Sequence, residues 1–119
     1  MARSAALVTT WSAPKDGREG KALESFTDFL VYWGKKATDG KVSEAEPFFS
    51  YDGGHGFAIV RGKSDVLTEA IESEEYEKLL TKAQLCVSDL KTELYVTGDD
   101  EIQRGMRIYA EAAHELGYM

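Results

Sequence analysis

The chain has 119 residues, fewer than the roughly 150 of a typical domain, so a single domain over 1–119 is expected. An apolar fraction of 43% and an aromatic fraction of 11% exclude a chain too polar to build a core. Fourteen Lys and Arg against 21 Asp and Glu leave a net charge of −7, which repels phosphate and anionic lipid and so excludes nucleic acid and membrane as expected partners.

The single cysteine, Cys86, has no intramolecular partner for a disulfide and cannot build a cysteine-based zinc site. The opening residues turn polar at Thr9 and Thr10, too soon for the apolar core of a secretory signal, and no stretch nears the ~20 apolar residues of a membrane span. A cytoplasmic location is expected. There is no asparagine, hence no site for N-glycosylation.

Residues 5–11 are rich in β-formers and stop short of Pro14, which predicts a first strand. After the polar run Lys15 to Gly20, Ala22, Leu23, Phe26, Phe29, Leu30, Trp33 and Ala37 recur at three- and four-residue spacing. That stripe predicts a helix over 19–37, stopped at Asp39-Gly40. Two short runs, 44–51 and 56–62, flank Asp52-Gly53-Gly54-His55 and predict a hairpin in which a glycine takes positive φ. Pro47 has no N–H to donate and places its strand at a sheet edge.

A broken helix over 65–86 follows, with Ser64 or Asp65 capping its first part and Ser73 its second. Alternation of Leu90, Thr92, Leu94 and Val96 with Lys91, Glu93, Tyr95 and Thr97 predicts a fourth strand over 89–97. Asp99 is placed to cap a last helix whose Ile102, Met106, Tyr109, Ala113 and Leu116 share a face, and Gly117 ends it.

The order β-α-β-β-α-β-α is an α+β ferredoxin-like domain: a βαββαβ unit with a four-stranded antiparallel sheet, plus a C-terminal helix. Large apolar groups lie on both faces of its strands, and two helices cover only one face. The other face calls for a second copy of the chain, so a homodimer is expected.

The hairpin into strand three, running from Asp52-Gly53-Gly54-His55 through Phe57, Ile59 and Arg61 to Gly62, carries a resemblance to a known superfamily. The helix from Glu72 to Leu80 and the strand from Leu90 to Val96 complete it. Over residues 5–97 the chain resembles the dimeric α+β barrel superfamily, whose small members include cofactor-free monooxygenase-like and isomerase-like proteins. The resemblance implies two sheets packed face to face across a dimer. It also implies a ligand site between each sheet and its helices, or in a cleft at the strand ends. The Asn-Trp-His set of the haem-degrading branch has no counterpart in a chain without asparagine, and the family's common final crossing strand is replaced by a helix.

His55, flanked by glycines, is either a general base on a loop or a plain turn residue. Thr9, Trp11, Arg61, Glu93 and Tyr95 form a polar set on strands one, three and four. Arg61 and Glu93 are expected on one face, the one that looks away from the helices towards the dimer, lining a cavity with Trp11 and Tyr95, either as a site or as a cross-strand ion pair. Trp33, Phe26 and Phe29 are assigned to the core. His114 beside Glu111 and Glu115 fits a solvated helix face, and no metal site is assigned. Gly17-Arg18-Glu19-Gly20-Lys21 lacks the spacing of a phosphate loop, and Gly54-His55-Gly56 opens no helix, so no nucleotide cofactor is expected.

Three functions fit these residues. The chain binds a small apolar or aromatic molecule with Thr9, Trp11, Ile59, Arg61 and Tyr95; or it is a cofactor-free enzyme on a small aromatic or carbonyl compound, with His55 or Glu93 as base; or it is a structural, partner-binding dimer.

Overall fold

The computed structural model describes residues 2–119. Its elements are β1 (Ser4–Trp11), α1 (Glu19–Lys36), β2 (Glu46–Phe49), β3 (Gly56–Lys63), α2 (Ser64–Ile71), α3 (Glu74–Cys86), β4 (Lys91–Val96) and α4 (Asp99–Glu115). The sheet order is β2-β3-β1-β4 and all pairings are antiparallel. This is the expected ferredoxin-like arrangement, with Pro47 on edge strand β2.

Local chemistry sets the element ends. α1 carries Glu19 in its first turn and Lys35 and Lys36 in its last, complementing the helix dipole. Ser73 interrupts the second helical segment and caps α3, its hydroxyl accepting from the Tyr76 amide at 3.2 Å. Two expected caps are corrected. Ser64 is already the first residue of α2, and its hydroxyl accepts from the Arg3 amide instead. Gly98, at φ +97°, precedes α4 in place of Asp99, because that turn needs a positive φ.

Residues opposite each other in a ladder point to the same face. One face carries Ala5, Leu7 and Thr9 of β1 with Val60 and Ala58 of β3, and α1, α2 and α3 cover it. Trp33, Tyr76, Leu7, Leu67 and Val60 are fully buried there, and Phe29 is nearly so. The Trp33 indole N–H donates to the Tyr76 hydroxyl at 3.4 Å, and the Tyr32 hydroxyl donates to the Ala70 carbonyl at 3.0 Å, so these two buried donors are satisfied. Burial pushes the Tyr76 phenol up to about 12, against hydrogen bonds from Trp33 and Thr9 that pull it down.

The opposite, outer face is covered by no element among the described residues. Phe48 stacks on Phe57 at 4.7 Å, each 37% exposed, beside Ile59 and an exposed Tyr95. Among the described residues no helix is long and apolar enough to cross a membrane.

Candidate functional site

Three strands meet in one row at the end of the sheet: Trp11 on β1 pairs with Gly56 on β3, which pairs with Phe49 on β2. The middle member has no side chain. A Cβ on Gly56 would come within 3.0 Å of the Trp11 ring and 2.6 Å of the Phe48 carbonyl oxygen. Glycine therefore leaves the space in which the indole lies across β3 and meets Phe49, with ring centroids 6.2 Å apart and nearly perpendicular. Phe26 descends from α1 and closes the triangle, 5.8 Å from Trp11 and 5.5 Å from Phe49.

These rings wall a cavity of about 230 Å³ between the sheet and helices α1 and α3. Thr9, Leu80, Ala83 and Leu90 complete its apolar body, and Ser12, Glu19, Ser25 and His55 supply polar groups. The β1–α1 loop is held over one side. Its Ser12 amide donates to the Ser88 carbonyl at 2.9 Å and its Lys15 amide to the Cys86 carbonyl at 2.8 Å. Arg18 and Lys15 side chains also bond the Leu85 and Gln84 carbonyls at the end of α3, where cations suit the helix dipole.

His55 reaches the cavity from the hairpin, and that hairpin is pinned. The Asp52 carboxylate accepts from the Gly54 amide at 2.9 Å and from the Ser50 hydroxyl at 2.8 Å, while Ser50 accepts from the His55 amide at 3.1 Å. Those donors, Gly54 first, hold the Asp52 carboxyl below its ordinary 3.8. Gly53 supplies the positive φ, +79°, that the turn requires.

The expected single site around Trp11, Arg61, Glu93 and Tyr95 is corrected. Thr9 and Trp11 face the helices, whereas Ile59, Arg61, Glu93 and Tyr95 lie on the outer face, in rows with Ala6 and Val8. The sheet separates the two groups, so one cavity cannot hold both. Nor do Arg61 and Glu93 pair. They share a face but sit on β3 and β4, with β1 between them. Arg61 instead lies 3.6 Å from Glu46, and Glu93 accepts from the Tyr95 hydroxyl at 2.8 Å, which pushes the Tyr95 phenol up. All of these side chains are exposed except Ile59, which is half-buried.

Phe26 and Phe49 went unassigned to a site in the sequence. The available signal was Gly56, a glycine inside a strand, which marks close approach of another group. On the last helix, Glu111 pairs with Arg107 at 3.1 Å.

The same architecture occurs in solved structures of low sequence similarity. SnoaB from Streptomyces nogalater, described as a cofactor-independent oxygenase, superposes with a TM-score of 0.64 at 11% identity, over 82% of this chain and 96% of that one. Rv0793 from Mycobacterium tuberculosis gives 0.61 at 15% identity, over 81% and 96%. A conserved protein of unknown function from Bacteroides thetaiotaomicron gives 0.61 at 12% identity, over 81% and 98%. No protein-family model and no curated protein matches the chain. At these identities the likeness is one of fold: the chain shares with these solved structures a ferredoxin-like α+β fold with a four-stranded antiparallel sheet.

Proposed function

We propose that the chain acts as a homodimer that binds a small, flat apolar or aromatic molecule between its sheet and helices. The carrying observation is the ring triangle Trp11, Phe26 and Phe49 around an apolar space of about 230 Å³. An apolar cavity of about 150 Å³ is enough to take benzene, so one or two fused rings match this volume. Homodimerisation is supported by the uncovered outer face with Phe48, Phe57, Ile59 and Tyr95. A cytoplasmic location accords with the single, unpaired Cys86.

A second reading, a cofactor-free enzyme, is favoured by His55, which lines the same cavity from a pinned hairpin. It is also favoured by the description of SnoaB as a cofactor-independent oxygenase. In that reading His55 takes a proton from the bound molecule. Glu93, on the far side of the sheet, has no part in it.

Calorimetric titration with 1-naphthol tests the first reading. Saturable binding is expected in the wild type and at least tenfold weaker binding in Trp11→Ala. Absence of saturable heat up to about 1 mM would refute it. His55→Gln should retain the probe, which separates binding from any proton transfer.

A further inference from the structure

The cavity is polar in two different places. Of the described polar residues that line it, Thr9 alone is buried, 3% exposed. Ser12 and Ser25 are half-buried, and Glu19 and His55 are exposed. Those four belong to the rim. Thr9 belongs to the floor, on the central strand β1 with Ala58 opposite it on β3 and Thr92 opposite it on β4.

The Thr9 hydroxyl ends a chain of hydrogen bonds that runs in one direction. An indole N–H can only donate, so Trp33 fills the acceptor side of the Tyr76 hydroxyl, at 3.4 Å. At that length the bond fixes direction more than it adds strength. Tyr76 is fully buried, and a buried phenol proton needs an acceptor of its own. Its other hydrogen-bond partner is the Thr9 hydroxyl. A phenolate would accept from both neighbours. The neutral phenol, the form present below about pH 12, accepts from Trp33 and donates to Thr9.

Thr9, having accepted, keeps one proton to give. The Thr92 hydroxyl lies 3.4 Å away, beyond the roughly 2.5–3.0 Å of a sound O–H···O bond. The proton at the cavity floor is therefore weakly engaged within the chain.

We infer that Thr9 determines specificity: its hydroxyl donates to a carbonyl oxygen on the flat ligand, so the pocket prefers an aromatic ketone to the hydrocarbon of the same shape. The inference rests on the binding reading above and adds a polarity to it. The rings of Trp11, Phe26 and Phe49 discriminate by shape and stacking alone. A ketone oxygen entering an apolar space loses its bond to water, and a floor donor replaces that bond. With its oxygen at the floor, the ligand turns its opposite edge to the rim.

Calorimetric titration with 1-tetralone and with tetralin, fused-ring probes that differ by one carbonyl oxygen, tests this. The wild type should bind 1-tetralone at least about fivefold more tightly. Thr9→Val, nearly the same shape without the hydroxyl, should bind the two alike, and Thr9→Ser should restore the preference. Thr9→Ala serves the same comparison if Thr9→Val does not fold. Tyr76→Phe frees the Thr9 hydroxyl to turn and should narrow the preference at least about twofold. Infrared difference spectra give a readout that a merely structural Thr9 would leave still: the ketone stretch should fall in frequency on binding to wild type and Thr9→Ser, but not to Thr9→Val or Thr9→Ala. Equal affinity of the wild type for both probes overturns the inference and leaves the binding reading standing. So does an unmoved ketone stretch, or a preference that survives loss of the Thr9 hydroxyl. A preference unchanged in Tyr76→Phe overturns the one-way chain as its cause. Saturable binding of neither probe up to about 1 mM removes the binding reading itself, and this inference with it.

Discussion

Replacing Gly56 by alanine adds one methyl group at the point where three strands and two rings converge. That methyl would sit 2.6 Å from the Phe48 carbonyl oxygen and 3.0 Å from Trp11, against the 3.5–4.0 Å of comfortable carbon contacts. The carbonyl belongs to the backbone and cannot rotate away, so β2 must retreat by more than half an ångström or the indole must swing out. β2 has only four residues and pairs with β3 alone, so it is the element that yields. Its retreat strains the β2–β3 ladder, loosens the Phe48–Phe57 stack and carries Phe49 away from Trp11. Overpacking costs about 1–3 kcal/mol, and the loss of ladder contacts puts this case near 2–3 kcal/mol. That corresponds to a fall of roughly 6–15 °C in Tm. Urea melts followed by circular dichroism measure it, with Gly54→Ala as the reference. At Gly54 a Cβ meets nothing nearer than Asp52 Oδ1 at 3.4 Å, so that change should cost less than about 0.5 kcal/mol. Binding of 1-naphthol should fall together with stability in Gly56→Ala. A Gly56→Ala protein within about 1 kcal/mol of wild type that still binds the probe would refute the account of the site.

Tyr76 predicts an alkaline limit to stability. Its folded value, about 12, lies above the ordinary 10.0, so the stabilisation from a neutral buried phenol is complete below pH 10 and is lost as pH rises through 12. Wild-type stability should fall by up to about 1.4 kcal/mol per pH unit across that window, and by less in Tyr76→Phe; parallel slopes in urea melts of the two proteins would contradict this. Asp52 has the opposite sign: its lowered carboxyl stabilises the hairpin above the ordinary 3.8, and that contribution is lost as pH falls through the depressed folded value. The Gly54 amide resonance should accordingly titrate with a midpoint below 3.8, and the transition should vanish in Asp52→Asn.

Much of the fold was legible in the chain because its signals are local. The three- and four-residue spacing from Ala22 to Trp33 specifies α1, and its break at Ser73 separates α2 from α3, as the structure shows. Pro47 assigned its strand to an edge for want of an N–H, and Gly53 took the positive φ expected of the turn. The apolar residues on both strand faces already required a sheet with an uncovered side.

The site was only partly legible, because alternation states which residues of one strand share a face and says nothing of how two strands are aligned. A slip of one residue moves a whole strand's side chains to the other face. Thr9, Trp11 and His55 border the cavity in the folded chain, while the register Val8–Ile59–Glu93 keeps Arg61, Glu93 and Tyr95 on the face away from the helices, as alternation predicted, and parts Trp11 from them. The same register aligns Trp11, Gly56 and Phe49, residues 45 positions apart at the extremes, into the row that shapes the pocket. Periodicity likewise revealed an apolar stripe on α4 but not its neighbour. Only the tertiary structure shows that its own sheet and helices leave that stripe in water, since burial depends on what the chain brings alongside a helix and not on the helix alone.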